Sequence, residues 1–280
     1  MGRFQNSLAL AKASWRVLRE DKQLTLLPLL SMVSTVVIAV SFLLPIGLIA
    51  RNGTDGYTAS KPLVWVLGFC AYLVLTFVVV FFNAALVYAA DRHLSGERVT
   101  IGEAIDAARA RAHVLLPWVV VSATVSIVLR ALEERAGIVG RIVGSIAGVA
   151  WSVVTFLVLP ILVIEGIGPI AAVKRSGELF KRTWGENLMT NAGIGIVAML
   201  ATLAGAIPLV LLIAIGGPIA VIGVVALVLW VIAVSLVSAT LTGILQVALY
   251  RFATGAQAPG FDTEQLQGTF RPRNQRGLWN

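Results

Sequence analysis

The stretch that decides the fold runs from Phe4 to Ala50: FQNSLALAKASWRVLREDKQ over residues 4–23, then LTLLPLLSMVSTVVIAVSFLLPIGLIA over residues 24–50. In the first part Phe4, Leu8, Ala11, Trp15 and Leu18 recur at helical spacing on one stripe, while Lys12, Arg16 and Arg19 make another. That division is what a helix lying in a membrane interface requires. The second part carries no charge, and as a helix rising about 1.5 Å per residue it is long enough to cross a hydrocarbon core of about 30 Å. An interfacial basic helix leading into a span is therefore the first unit of this chain.

The same unit recurs twice. Ile101, Ile105, Ala108, Ala112 and Leu115 share the helical spacing, and Thr100 with Glu103 three residues later forms a capping-box pattern at the start of that stretch. The third unit places Ile170, Val173, Gly177, Phe180 and Trp184 on one stripe, with Lys174, Arg175, Lys181 and Arg182 elsewhere. Pro169 suits its first turn, where no N–H donor is needed. Interfacial helices are thus expected at about 4–20, 100–112 and 169–185.

The spans follow from the charge map. No charge occurs from Asn187 to Tyr250, and a single helix of that length would measure about 95 Å, so the stretch folds back at Gly216, Gly217 and Pro218. Six spans result, at about 24–50, 62–90, 113–132, 140–164, 188–215 and 219–250. A chain with 58% hydrophobic residues, 13% charged residues and mean hydropathy +0.89 is too apolar for a soluble domain. The expected fold is all-α: an integral-membrane six-helix bundle with three cytoplasmic interfacial helices, read as three parallel repeats of amphipathic helix plus transmembrane hairpin. Residues 1–252 form one membrane domain, and residues 253–280, rich in Gly, Gln, Pro and Arg, read as a disordered tail.

Lys and Arg concentrate before the first span, between spans two and three, between spans four and five, and after span six. Cytoplasmic loops carry such an excess, so both termini are expected in the cytoplasm, with the chain a multi-pass protein of the cell membrane. The net charge of +8 then points to anionic lipid headgroups, and no soluble basic domain exists to bind nucleic acid.

Candidate functional residues fall into three groups. Lys12, Arg16, Arg19, Arg109, Arg111, Lys174, Arg175, Lys181 and Arg182 are the headgroup contacts, with the aromatic residues Trp15, Phe180 and Trp184 in the acyl boundary. Asn83, Glu165 and Gln246 are polar positions in or at the ends of spans, where burial is costly without a partner or a task. Gly140, Gly144, Gly148 and Ser152 recur every four residues and let another backbone approach, from a neighbouring span or from a second copy. Two histidines twenty positions apart, no nucleophile elbow and no phosphate-binding glycine loop leave no catalytic, metal or cofactor site to name. The single cysteine, Cys70, lies inside span two and has no partner for a disulfide.

The run Trp151–Ile164 followed by Glu165-Gly166-Ile167-Gly168-Pro169, then Lys174-Arg175-Ser176 and Thr183-Trp184-Gly185-Glu186, resembles an uncharacterised family of prokaryotic integral membrane proteins filed as a domain of unknown function. Ala11-Lys12-Ala13-Ser14-Trp15-Arg16-Val17-Leu18 and Phe82-Asn83-Ala84-Ala85-Leu86 also resemble it. More loosely, the alternation of interfacial helices and hairpins is similar to the membrane domains attached to some glycerophosphodiester phosphodiesterases, whose catalytic barrel has no counterpart here. The resemblance implies topology and no activity. The expectation is a non-enzymatic inner-membrane protein acting in membrane or envelope organisation through anionic lipids, a homo-oligomer contact or a membrane-protein partner. The alternative is a transporter or channel component with a polar site near Asn83 and Glu165.

Overall fold

A computed structural model describes residues 3–51, 57–135, 137–184, 193–215, 217–257, 259 and 261, and these are helical with no strand among them. The helices are α1 (Arg3–Glu20), α2 (Leu26–Arg51), α3 (Tyr57–Leu94), α4 (Ile101–Ala110), α5 (Ala112–Arg135), α6 (Gly137–Thr155), α7 (Val158–Ile164), α8 (Pro169–Trp184), α9 (Gly193–Ile215) and α10 (Gly217–Ala253). Among the described residues, five helical stretches are long and apolar enough to cross a membrane: Lys22–Leu48, Leu63–Leu94, Ala112–Leu132, Val143–Ile164 and Ile219–Ala253. The chain is a membrane protein on that ground. Helix α9, 23 residues long, contributes the shorter apolar stretch Ala201–Val210.

Two features add detail that the sequence reading does not contain. The fourth apolar stretch is not one helix: α6 ends at Thr155 and α7 starts at Val158. Pro160 is the physical reason, since it has no N–H to give the carbonyl of Phe156 and its ring crowds that carbonyl. The last turn before the break is tightened, with the Phe156 N–H donating to the Val153 carbonyl at 3.2 Å. The second feature is at the C-terminus, where described contacts continue past α10. Arg251 Nε donates to the Gln257 carbonyl at 2.8 Å, and Phe261 is buried. Residues 262–280, with Arg271, Arg273, Arg276 and Trp279, lie outside the described residues.

The chain divides into two compact units. The first comprises Met1–Thr25, Ala90–Arg98 and Glu178–Asn280. Within it α1 packs on α9 and α10, which form an antiparallel hairpin, and Ile244, Val247, Ala248 and Leu249 of α10 are buried. Gly205 lies under the indole of Trp230, and a Cβ on Gly223 would stand 3.2 Å from the Ile213 backbone nitrogen and 3.3 Å from the Leu209 carbonyl oxygen. Glycine at these places lets two backbones approach inside a hairpin that carries no charge before Arg251.

The second unit comprises Leu26–Ala89 and Val99–Gly177. There α5 packs on α6, with Trp118 and Trp151 stacked at 6.2 Å between centroids and 24° between planes. Val158, Ile161 and Leu162 of α7 are fully buried. By contrast Val36, Val37, Leu43, Leu44 and Leu48 of α2 are exposed, a surface stable only against an apolar solvent.

These contacts set the sign of glycine substitutions. In an unobstructed helix Gly→Ala stabilises by about 1 kcal/mol, and Gly68 in α3 has nothing within 4 Å of the new methyl. Gly68→Ala is expected to leave the unfolding temperature in detergent unchanged or higher. Gly223→Ala meets backbone and is expected to lower stability by about 1–2 kcal/mol, read by thermal unfolding followed by circular dichroism.

Candidate functional site

The polar chemistry of the chain gathers at helix ends. Helices α3, α7 and α10 are each followed by a glycine with positive φ: Gly96 (85°), Gly166 (67°) and Gly255 (79°). Each terminator sends N–H donors back to the carbonyls the helix leaves open: Glu97 N to Arg92 O at 3.0 Å, Gly166 N to Ile161 O at 3.2 Å, Ala256 N to Arg251 O at 2.8 Å. The charged residues near these turns then divide into those the protein uses and those it leaves free.

Arg111 belongs to the first class. It is the single residue between α4 and α5, and its Nε donates to the Val163 carbonyl at 3.0 Å, one of the open acceptors at the end of α7. Its guanidinium lies against Gly166, where a Cβ would fall 2.8 Å from Cζ. The sequence reading placed Arg111 among the headgroup contacts, and the structure gives it a capping bond inside the protein. Arg175 is likewise engaged, with Nε 3.4 Å from Glu165 Oε1. Arg109, four-fifths exposed, lies 4.0 Å from Asp106 one turn back, a pair that contributes at most about 0.5 kcal/mol.

The second class consists of Lys12, Arg16 and Arg19 on α1 and Lys174, Lys181 and Arg182 on α8, all exposed. The buried stripe of α1 is Ala13, Ser14, Val17 and Leu18, and Trp15 is 43% exposed. At about 100° per residue Trp15 falls between Leu18 and Arg19, on the flank where the apolar face meets the basic one. On α8 the buried stripe is Ala172, Ser176, Leu179 and Phe180. Phe180, assigned from sequence to the acyl boundary, is 3% exposed and is therefore a packing residue, while Ile170 at 70% occupies the flank. The side chains of Phe4, Leu8, Ala11 and Trp184 lie outside the described residues.

The two helices keep one phase. Lys12 and Lys174, Ser14 and Ser176, Leu18 and Phe180 stand at a constant offset, with the lysines exposed and the other four residues buried. Both serine hydroxyls are buried with no hydrogen-bond partner among the described residues.

Helix α4 starts as its capping box requires: Glu103 N donates to Thr100 Oγ1 at 3.3 Å and Thr100 N to Glu103 Oε2 at 2.7 Å. The backbone and hydroxyl of Thr100 hold the Glu103 carboxyl below its ordinary range.

The polar positions are not gathered into one site. Asn83 and Gln246 are half-buried, Glu165 pairs with Arg175, and no hydrogen bond joins Asn83 to another described residue. In the glycine run, Gly140 and Gly144 are buried, Gly148 half-buried and Ser152 exposed, with the Ser152 hydroxyl donating to the Gly148 carbonyl at 2.9 Å.

Sequence reasoning missed a cluster in the first unit. Arg251 Nη1 donates to Asp91 Oδ1 at 2.9 Å, to the Asp91 carbonyl at 3.1 Å and to Ser95 Oγ at 2.7 Å. Beside it in sequence, His93 faces Glu20 and Asp21 at 3.6 and 3.7 Å. Asp91 and Arg251 are 160 positions apart, a separation that leaves no local pattern to find.

A family model described as a family of unknown function, DUF6159, matches residues 62–261. The chain belongs to this family. The DUF6159 match takes in α3 to α10, including the Glu165–Pro169 turn and the Asp91–Arg251 cluster, and leaves Ala11–Leu18 outside. No curated protein and no solved structure matches the chain.

The DUF6159 turn gives a direct test. Gly166→Ala combines a left-handed backbone that costs an L-residue about 1–2 kcal/mol with a collision with Arg111. The variant is expected to unfold earlier on heating in detergent, and adding Arg111→Ala should recover only the steric part. The capping box gives a second: because the Glu103 carboxyl is depressed in the folded state, its contribution is complete above the unfolded carboxylate range and is lost as pH falls through the lower, folded value. Amide protection at the start of α4 should therefore fall on acidification, and Glu103→Gln should remove that dependence.

Proposed function

We propose that this chain acts without catalysis as a multi-pass protein of the cell membrane, holding anionic lipid headgroups on the basic faces of its interfacial helices in membrane or envelope organisation. The observation that carries this reading is the exposed face of α1. Lys12, Arg16 and Arg19 are exposed and have no ion-pair partner among the described residues, and Trp15 sits on their flank. A Trp between apolar and basic faces is the arrangement that places a helix at headgroup depth. Lys174, Lys181 and Arg182 repeat the basic face on α8.

In the finer architecture of this reading α9 completes six spans, both termini are cytoplasmic, and interfacial helix plus hairpin occurs three times. The common phase of α1 and α8 supports that repetition. A homo-oligomer or a membrane-protein partner fits the same role. The transporter alternative draws support from Asn83, a polar side chain half-buried in a span with no described hydrogen bond. It predicts that Asn83→Cys in a Cys70→Ala background reacts with a water-borne thiol reagent.

Native mass spectrometry of the full chain released from mild detergent tests the lipid reading. The wild type should retain anionic lipid at a defined stoichiometry. At about 1 kcal/mol per base, Lys12→Gln, Arg16→Gln and Arg19→Gln together should weaken that retention on the order of a hundredfold. Arg111→Gln should lower stability and leave the lipid ratio unchanged. An unaltered ratio of anionic to zwitterionic lipid in the triple variant would sink the reading.

A further inference from the structure

The end of α1 is tied to the end of α3 by one imidazole. His93 Nε2 stands 3.6 Å from Glu20 Oε2, and His93 Nδ1 stands 3.7 Å from Asp21 Oδ2. The His93 and Asp21 side chains are mostly buried, at 16% and 18% exposed, and Glu20 is 59% exposed. All three residues belong to the first compact unit. The two carboxylates address opposite nitrogens of the ring, so a cation bound at either nitrogen would meet only one of them. No group of three ligating side chains suited to a metal occurs among the described residues.

The other charges nearby are committed or turned away. On the same helix Asp91 is taken by Arg251 of α10 at 2.9 Å, and Arg92 by Glu97 at 3.0 Å. Asp21 Oδ1 accepts the Gln23 N–H at 3.1 Å, and Lys22 is exposed. Among the described residues, His93 is the basic side chain seen within ion-pair distance of both acids.

We propose that His93 is a proton-controlled latch that fixes the end of the basic helix α1 to the end of α3. A charged imidazole has an N–H for each carboxylate. A neutral one has a single N–H, and its other nitrogen turns a lone pair toward an anion. Gain of the second ring proton therefore closes the latch, and its loss as pH rises loosens it. Loosening frees the last turn of α1, which carries Arg19 and directly follows Lys12 and Arg16. The consequence for lipid contact rests on the function proposed above, whereas the latch itself does not.

Hydrogen exchange of the full chain in a neutral detergent without anionic lipid, at pH 6 and pH 8, reads the latch directly. After correction for chemical exchange, amides of Val17–Thr25 should be about threefold more protected at pH 6, as fits a partly exposed ion pair. His93→Gln should abolish the difference, and so should Glu20→Gln with Asp21→Asn, which opens the latch from the other side. His113→Gln, which removes the other histidine of the chain, should retain it. A difference that persists in both His93→Gln and the double carboxyl variant, or none in the wild type, overturns the latch. Retention of anionic lipid at the same two pH values separates the two readings. Lipid retained equally at both pH values, with the exchange difference present, overturns the coupling to lipid contact. Lipid absent at both overturns the lipid reading and leaves the latch standing.

Discussion

Inside hydrocarbon no water is available to a backbone N–H or C=O, so every polar group of a crossing chain has to be satisfied within its own helix or by a neighbour. Mid-helix groups meet that condition automatically. The ends do not, and each helix leaves carbonyls at its C-terminus that need donors at the point where chain and solvent change together. Several polar contacts among the described residues answer that need, within a helix end or between helices. Gly96, Gly166 and Gly255 fold backbone donors onto open carbonyls, and Arg111 brings a side chain from the next junction to the end of α7. The cluster of Arg251 on Asp91 and Ser95 does the same between α10 and α3.

This constraint sorts the basic residues. A cation at a helix C-terminus is favoured by the helix dipole, and an Arg with a fixed acceptor keeps its fork in one orientation. Arg111 and Arg251 are placed this way. The exposed cations Lys12, Arg16 and Arg19 of α1 and Lys174, Lys181 and Arg182 of α8 are placed in the opposite way, with no ion pair among the described residues. Positive charge that the protein neither pairs nor buries is positive charge directed at something outside it. On the function proposed above, that acceptor is the anionic lipid headgroup.

Helical class and membrane residence are legible in the sequence because both depend on local periodicity and on long uncharged runs. The capping box at Thr100 and Glu103 is legible for the same reason, since its partners are three positions apart. What fails is whatever depends on helix phase or on distant neighbours. Trp15 and Leu18 satisfy the same spacing rule, yet about 60° of rotation separates them, and packing on α9 and α10 decides that Leu18 is buried and Trp15 exposed. Phe180 fails likewise: it lies on the buried stripe of α8 with Leu179 and Ser176. Arg111 cannot be told from Arg109 by composition, and only the return of α7 beside it makes one a cap and leaves the other in solvent.

The glycines carry the same distinction between pattern and position. The run Gly140, Gly144, Gly148 and Ser152 is the most regular small-residue pattern in the sequence, yet Gly148 has open space where a Cβ would stand. Gly205 and Gly223 belong to no such run, and they are where a methyl would meet another residue inside the hairpin. Regular spacing records which residues share a face, whereas close approach depends on where the partner helix crosses that face. Two apolar helices in lipid gain little from burying apolar surface against each other, so their approach is set by the few positions where a side chain is absent. In the α9–α10 hairpin those positions receive Trp230 and Ile213, and the missing side chains, more than any polar bond, fix how the two helices meet.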